Sequence, residues 1–382
     1  MSRAIFESDH ELFRDSVREF VGREVTPHVP KWEAEGKIDK SMFKRAGEAG
    51  LLGMAIDEAY GGGGTADFRF NVVIVEELVR GDAFAAGMAI TLHNDVVTPY
   101  FTGLGTGEQK RRWLPGIANG DLMTAIAMTE PGAGSDLAGI KTTARPDGDH
   151  YVVTGSKTFI TNGINSDLVV TAVKTDPSQR HSGMSLLVIE EGMDGFTRGR
   201  NLDKIGLHAQ DTAEIFFADV VVPARNLLGE EGRGFLHLVH NLPQERLSLA
   251  VGSIAHAQTA FDWTLAHVKE REAFGQTIGS FQTVKHNLAE MRTELDIAQT
   301  YVDSQILALV HGELTATEAA KAKWWVTELE KRVIDRCLQL FGGWGYMEEY
   351  PIARAYRDAR VQTIYGGTTE IMKEIVGRSL GL

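Results

Sequence analysis

The sequence predicts an α+β protein: a helical N-terminal part, an antiparallel β domain in the middle and a helical bundle at the C-terminal end. Three observations carry this. Apolar residues recur at helical spacing through the first third. Short runs rich in Val, Ile, Thr and Phe follow, punctuated by Gly, Asn, Asp and Pro, with no helical pattern between them. Long helical runs then return. The domain limits read as 1–120, 121–230 and 231–382, and 382 residues suit two or three domains at about 150 residues each.

In the first part, Phe13, Val17, Phe20 and Val21 share a helical face, with Ser8 or Asp9 as candidate cap. Residues 39–54 read as a second helix ending near a glycine, and 70–82 and 105–120 as further helices. The glycine run 59–64 is a loop without the Gly-Lys-Ser/Thr ending of a phosphate-binding loop. In the middle, 150–163, 167–175, 184–191 and 212–223 read as strands, and the absence of intervening helices argues against a βαβ array. Segments 244–272, 281–312 and 315–343 have the length of bundle helices. Asn241 is a candidate cap and Pro243 suits a first turn, which places Glu245 near the start of its helix.

Composition removes several function classes. A net charge of −13 argues against nucleic acid or an anionic membrane as partner. No run of about 18 apolar residues is present, and the N-terminus lacks the apolar stretch of a secretory leader. The single cysteine, Cys337, excludes an intramolecular disulfide and fits a reducing compartment, so a cytoplasmic location is expected. It reads as a residue on a helix face, with a nucleophile as the other reading. The histidines show no HExxH or Cys/His pairing, so no metal site is expected, and no Gly-x-Ser-x-Gly elbow occurs.

Several motifs admit two readings each. In "AMTEPGAGSD", residues 127–136, Leu137 stands where a dinucleotide fingerprint needs its third glycine. The segment is a plain turn, or a Gly-rich turn whose amides, with Thr129 and Ser135, hold a polar ring edge or an anion. In "GSKTFITNG", Phe159 and Thr161 share a strand face, as cross-strand packing or as a stacking platform with a donor for a flat heterocycle. Arg271 either answers a helix dipole or binds a pyrophosphate. Residues 339–360 read as a helix cap and turn.

Six motifs in order, "AMTEPGAGSD", "KTFITNG", "REAFGQTIGSFQ", "QLFGGWGY", "YRDAR" and "IYGGTTEI", resemble those of the acyl-CoA dehydrogenase family over the whole chain. The resemblance implies an all-α N-terminal domain, a β-barrel-like middle, a C-terminal four-helix bundle, non-covalent FAD and a homotetramer built as a dimer of dimers. It implies that Ile126, Ala127, Met128, Thr129 and Ser135 meet the flavin, Ser135 lying also near the CoA arm. Phe159, Ile160 and Thr161 would flank the isoalloxazine. Arg271, Gln282 and the stretch Gln339, Leu340, Phe341, Gly342 and Gly343 would hold the pyrophosphate and adenosine end, partly across a dimer interface. Thr368, Thr369 and Glu370 would face the cofactor, with Thr368 or Thr369 capping the last helix. Leu236, Pro243, Gln244, Arg246, Gly366 and Gly367 would meet the acyl-CoA substrate.

The implied reaction is α,β-dehydrogenation of an acyl-CoA thioester, with an electron-transfer flavoprotein as electron acceptor. It needs a carboxylate base. The family's usual last motif carries Glu where this chain has Gly366. Glu370 reads as a first-turn acid favouring the helix dipole. Glu245, in "PQERL", reads by itself as a solvent-facing acid beside Arg246. The long-chain and isovaleryl-CoA branches reverse this, since both have the base on that helix and lack the acid in the last motif. "PQERL" together with "IYGGT" is most similar to the long-chain branch, so Glu245 is the expected base and a long straight acyl chain the first expectation, a short or branched one the second. An acyl-CoA oxidase and a catalytically silent acyl-CoA-binding protein are the remaining readings.

Overall fold

The computed structural model describes residues 3–382. Its N-terminal part comprises α1 (Ser8–Phe20), α2 (Val29–Glu35), α3 (Lys40–Glu48), α4 (Phe68–Arg80), α5 (Phe84–Thr91), α6 (Thr98–Leu104) and α7 (Gly107–Ala118). The cap of α1 is Glu7, not Ser8 or Asp9, because His10 reaches back to accept the Glu7 N–H at 3.1 Å. Helices α5 and α6, joined by a π-helical segment Leu92–Val97, had no counterpart in the sequence reading. The physical reason is burial on every side: residues 84–90 are all buried, so no polar face marks a helical period.

The middle is one sheet of β1 (Thr124–Ala127), β2 (Thr143–Asp147), β3 (His150–Thr161), β4 (Leu168–Lys174), β5 (Met184–Glu190), β6 (Phe196–Asn201) and β7 (Thr212–Pro223). The order β1-β4-β2-β3-β7-β6, with β5 also on β4, is mixed and not wholly antiparallel: β1 runs parallel to β4 in the register Thr124↔Leu168 to Ala127↔Thr171. A parallel pair needs a long crossover, and the β2–β3 hairpin supplies it here. Tyr151, Val153, Ile160, Ile215 and Val220 fill one buried face of the sheet, while Ile126, Val170 and Leu186 pack with Tyr100 and Trp113 of α6 and α7 on the other.

His93 joins helices to sheet. Its Nε2 lies 3.0 Å from the Ile117 carbonyl and its Nδ1 is 2.8 Å from the Thr124 hydroxyl. Complete burial pushes its pKa down to about 4. The ring is therefore neutral, donating at Nε2 and accepting at Nδ1, which fixes the height of β1 against the helices.

The C-terminal part comprises α8 (Gly234–Glu270), α9 (Gln282–Val310), α10 (Ala316–Phe341), α11 (Pro351–Ala359) and α12 (Thr369–Ser379). Helix α8 is 37 residues long and starts at Gly234, so Asn241 is no cap and Pro243 lies inside the helix. Proline there removes one backbone bond and loosens the turn in front of Glu245. Glu245 is thus three turns into the helix, beyond the favourable field of its N-terminus. Its apolar faces pack on α4, α9 and α10 in one continuous core that includes Leu247, Val251, Ile254, Leu295 and Val326. Among the described residues no helix is long and apolar enough to cross a membrane.

Candidate active site

A cavity of about 170 Å³ opens where α4, α5 and α8 meet the sheet. It brings together residues far apart in sequence: Ile126 in β1 with Met128 and Thr129 just after it, Phe159, Ile160 and Thr161 at the end of β3, Glu245 on α8, and Gly366. The two strand motifs are tied directly. The Thr158 N–H donates to the Thr129 carbonyl at 2.9 Å, and Lys157 Nζ donates to the Met128 carbonyl at 3.1 Å. Lys157 is wholly buried and lies 2.9 Å from Glu130, which also accepts the amides of Lys141 (2.6 Å) and Thr142 (2.9 Å). Burial pulls the Lys157 pKa down to about 8, and Glu130 opposes that.

Phe159 and Thr161 both line the cavity through an irregularity in β3. The β3–β7 register shifts between Lys157 and Ile160, and Phe159 takes φ +59°, a left-handed backbone that aromatic residues rarely adopt. The residue is 68% exposed and shares the cavity lining with Thr129 and Thr161. An exposed aromatic held in this way offers a flat apolar face to the cavity.

Glu245 is almost fully buried, and the Tyr100 hydroxyl donates to its Oε1 at 2.8 Å. Burial pushes its pKa up to about 7, with the Tyr100 hydrogen bond and the Arg246 charge pulling the other way. A carboxyl poised near neutrality, facing an apolar cavity, suits proton abstraction. As the expected base, Glu245 would act only when ionised, so kcat/KM is expected to rise with pH through about 7. Tyr100→Phe removes a donor that favours the carboxylate. It is expected to move that rise to higher pH in a pH–rate profile; an unmoved profile would count against Tyr100 as the orienting group.

The remaining predicted residues fall in different places. Gln244 Nε2 donates to the Asp95 carbonyl at 2.8 Å, while Pro243 and the exposed Leu236 lie on earlier turns of α8. Arg246 Nε approaches the Gly366 carbonyl at 3.3 Å, and Lys323 Nζ donates to the Gly367 carbonyl at 2.7 Å. Gly366 takes φ +63° and Gly367 φ +99°; among the described residues the Gly366 N–H meets no backbone carbonyl. A Cβ at Gly366 would collide with Leu249. Thr368 is the N-cap of α12, accepting the Ile371 N–H, and the Thr369 hydroxyl donates to Glu328 at 2.9 Å. Glu370 is exposed in the first turn; Ala127 is buried in β1 and Ser135 exposed on its turn, and none of these three lines the cavity in this chain.

Arg271, Gln339, Leu340, Phe341, Gly342 and Gly343 line a separate, open pocket at the other end of α8, and Gln282 is the first residue of α9. Arg271 stands about 39 Å beyond Glu245 along the helix axis. Sequence reasoning missed Tyr100 altogether, and nothing in the sequence signals its pairing with a residue so remote in the chain.

The chain matches the models described as acyl-CoA dehydrogenase N-terminal domain over residues 7–121, middle domain over 125–220 and C-terminal domain over 232–381. It is 47% identical to a long-chain specific acyl-CoA dehydrogenase, mitochondrial, of Sus scrofa, across 99% of this chain and 88% of that one. It is 34% identical to an isovaleryl-CoA dehydrogenase, mitochondrial, of Solanum tuberosum, across 98% and 91%. Among solved structures, an acyl-CoA dehydrogenase from Geobacillus kaustophilus superimposes with a TM-score of 0.97 at 52% identity, covering 100% of both chains. A glutaryl-CoA dehydrogenase of Mycobacterium smegmatis in complex with FADH2 superimposes with a TM-score of 0.91 at 26% identity, covering 98% and 95%.

Proposed function

Because the chain belongs to the acyl-CoA dehydrogenase family, an FAD-dependent group of oxidoreductases acting on CH–CH bonds, we propose that it converts long straight-chain acyl-CoA thioesters to trans-2-enoyl-CoA. The observation that carries this reading is Glu245: a carboxyl buried in an apolar cavity, oriented by Tyr100, and sharing that cavity with Gly366 and with the exposed ring of Phe159.

The cavity fits the isoalloxazine. Phe159 offers a flat face, Thr129 and Thr161 offer hydroxyls, and Ile126, Met128 and Ile160 exclude water. When bound, FAD supplies the acceptor for the hydride leaving the β carbon. The residues of this chain do the rest. Glu245 removes the α proton. In this reading the N–H of Gly366, which meets no backbone carbonyl among the described residues, donates to the thioester oxygen, a bond that strengthens as negative charge grows there. Arg246 and Lys323 hold the carbonyls of Gly366 and Gly367, and so fix the two peptide planes that follow that N–H. Water exclusion keeps the base undersolvated and strong.

The pocket formed by Arg271 and residues 339–343 suits a pyrophosphate and adenosine, and its distance from Glu245 favours service to the cofactor of a neighbouring copy. A homotetramer, an electron-transfer flavoprotein as acceptor, a role in β-oxidation and a cytoplasmic location belong to the same reading. Likeness to the long-chain relatives supports the substrate class, and a single cysteine supports the reducing compartment.

The test is anaerobic mixing of the yellow holoenzyme with C4, C8, C12 and isovaleryl thioesters. Bleaching of the flavin, fastest with the longer straight chains, is expected. No bleaching with any thioester would overturn the reading, and fast bleaching confined to isovaleryl-CoA would move the substrate to the branched class.

A further inference from the structure

The cavity has a direction. Glu245, Ser248, Leu249 and Gly252 line it along one side of α8. The facing segment runs the opposite way: Tyr100 meets Glu245 (2.8 Å), Asp95 accepts the Ser248 hydroxyl, and Phe84 lies flat on His256 with ring centres 4.2 Å apart at 17°. Depth can therefore be read along α8, from the carboxyl at Glu245 to the stacked pair at His256.

Phe84 closes the deep end. It lines this cavity and also a second pocket of about 10 Å³, room for about one water, whose other walls include Glu33, Asp82, Arg354 and Asp358. One side of the ring is thus apolar and the other borders a polar cluster. The His256 ring behind it is fixed by Glu330, whose Oε1 lies 2.7 Å from Nδ1, with both groups buried. Just before this wall stands Gly252. A Cβ there would sit 3.5 Å from Phe84 and 3.8 Å from Val75, so a larger side chain would fill the end of the cavity.

We propose that Phe84, backed by His256 and Glu330, is the stop for the terminal methyl of the acyl chain, and that Gly252 is the gap that lets the chain reach it. This rests on the acyl-CoA reading above and gives it an upper limit. His256 lies about 16 Å beyond Glu245 along α8. Subtracting one carbon–carbon contact of about 3.5–4.0 Å leaves at most about ten bonds of an extended chain beyond the α carbon, or at most about twelve carbons in all, since Phe84 stands in front of His256. A sixteen-carbon chain does not seat without displacing Phe84.

The experiment compares kcat/KM for C4, C8, C12 and C16 thioesters in the holoenzyme, with an artificial electron acceptor, for the parent, Gly252→Leu and Phe84→Ala. In the parent, kcat/KM is expected to rise to C12 and fall at C16. Gly252→Leu is expected to lower the C12-to-C4 ratio at least about tenfold, and Phe84→Ala to raise the C16-to-C12 ratio by a similar factor. Flavin content reports folding, so if one variant loses its flavin the other decides. A flavin-loaded variant with the parent's chain-length profile, or a parent equally active on C12 and C16, would overturn the stop. A parent that turns over no thioester would instead overturn the function from which the inference starts.

Discussion

Glu245→Gln is expected to stay yellow, to bind acyl-CoA and to lose turnover by at least about 10²- to 10⁴-fold, the range for removing a general base. The amide is nearly isosteric, and the Tyr100 hydroxyl can still donate to its oxygen, so the cavity should keep its shape. What disappears is the proton acceptor. Glu370→Gln is the control: its side chain is exposed in the first turn of α12, outside the cavity, so the chemical step should persist. Single-turnover bleaching separates chemistry from binding. Near-parental bleaching in Glu245→Gln, with collapse in Glu370→Gln, would exchange the two assignments.

The largest effect on stability is expected at Glu130. Glu130→Ala leaves the Lys157 ammonium buried with the Met128 carbonyl and without its counter-charge, and exposes two amides to an empty site. Breaking a buried pair from one side costs about 3–5 kcal/mol. The double change Glu130→Gln with Lys157→Met removes both charges and should recover most of the loss, because the cost lies in the unpaired charge. Urea midpoints of the holo forms measure this. Flavin affinity should fall with Glu130→Ala, since Lys157 anchors the strand end that carries Met128 and Thr129. A midpoint for Glu130→Ala equal to that of the parent would refute the argument.

Strands β3, β4, β5 and β7 and the long helices were legible because their patterns are local. Strands 150–161 and 212–223 announce themselves by β-branched runs, and α9 and α10 by helical runs of bundle length. Helix α5 was not legible, because a helix buried on every side has no amphipathic period to read. The start of α8 was misread for a different reason. Pro243 looked like a first-turn residue, yet tertiary packing on both sides carries the helix past it. That error mattered for Glu245. A first-turn acid would be stabilised in its charged form, whereas the buried mid-helix carboxyl is pushed towards neutrality. From its immediate neighbours Glu245 reads as a surface acid, and only the resemblance carried by two distant motifs proposes it as the base. Tyr100, Phe84 and Gly252 lay beyond sequence reasoning, because their roles arise from contacts across helices. Phe159 and Thr161 were paired by strand alternation; both line the cavity, but they arrive there through a register shift that alternation does not foresee.

The left-handed Gly366 and the Leu249 side chain above it also bear on ancestry and engineering. Moving the carboxylate back to that loop in a single codon change would place a side chain into both a disfavoured backbone and an occupied volume. An intermediate with acids at both positions is therefore a poor stepping stone, and so is one with neither. Turning or shortening the Leu249 side chain relieves the second obstacle and leaves the first. That residue is where a directed-evolution library for relocating the base should begin.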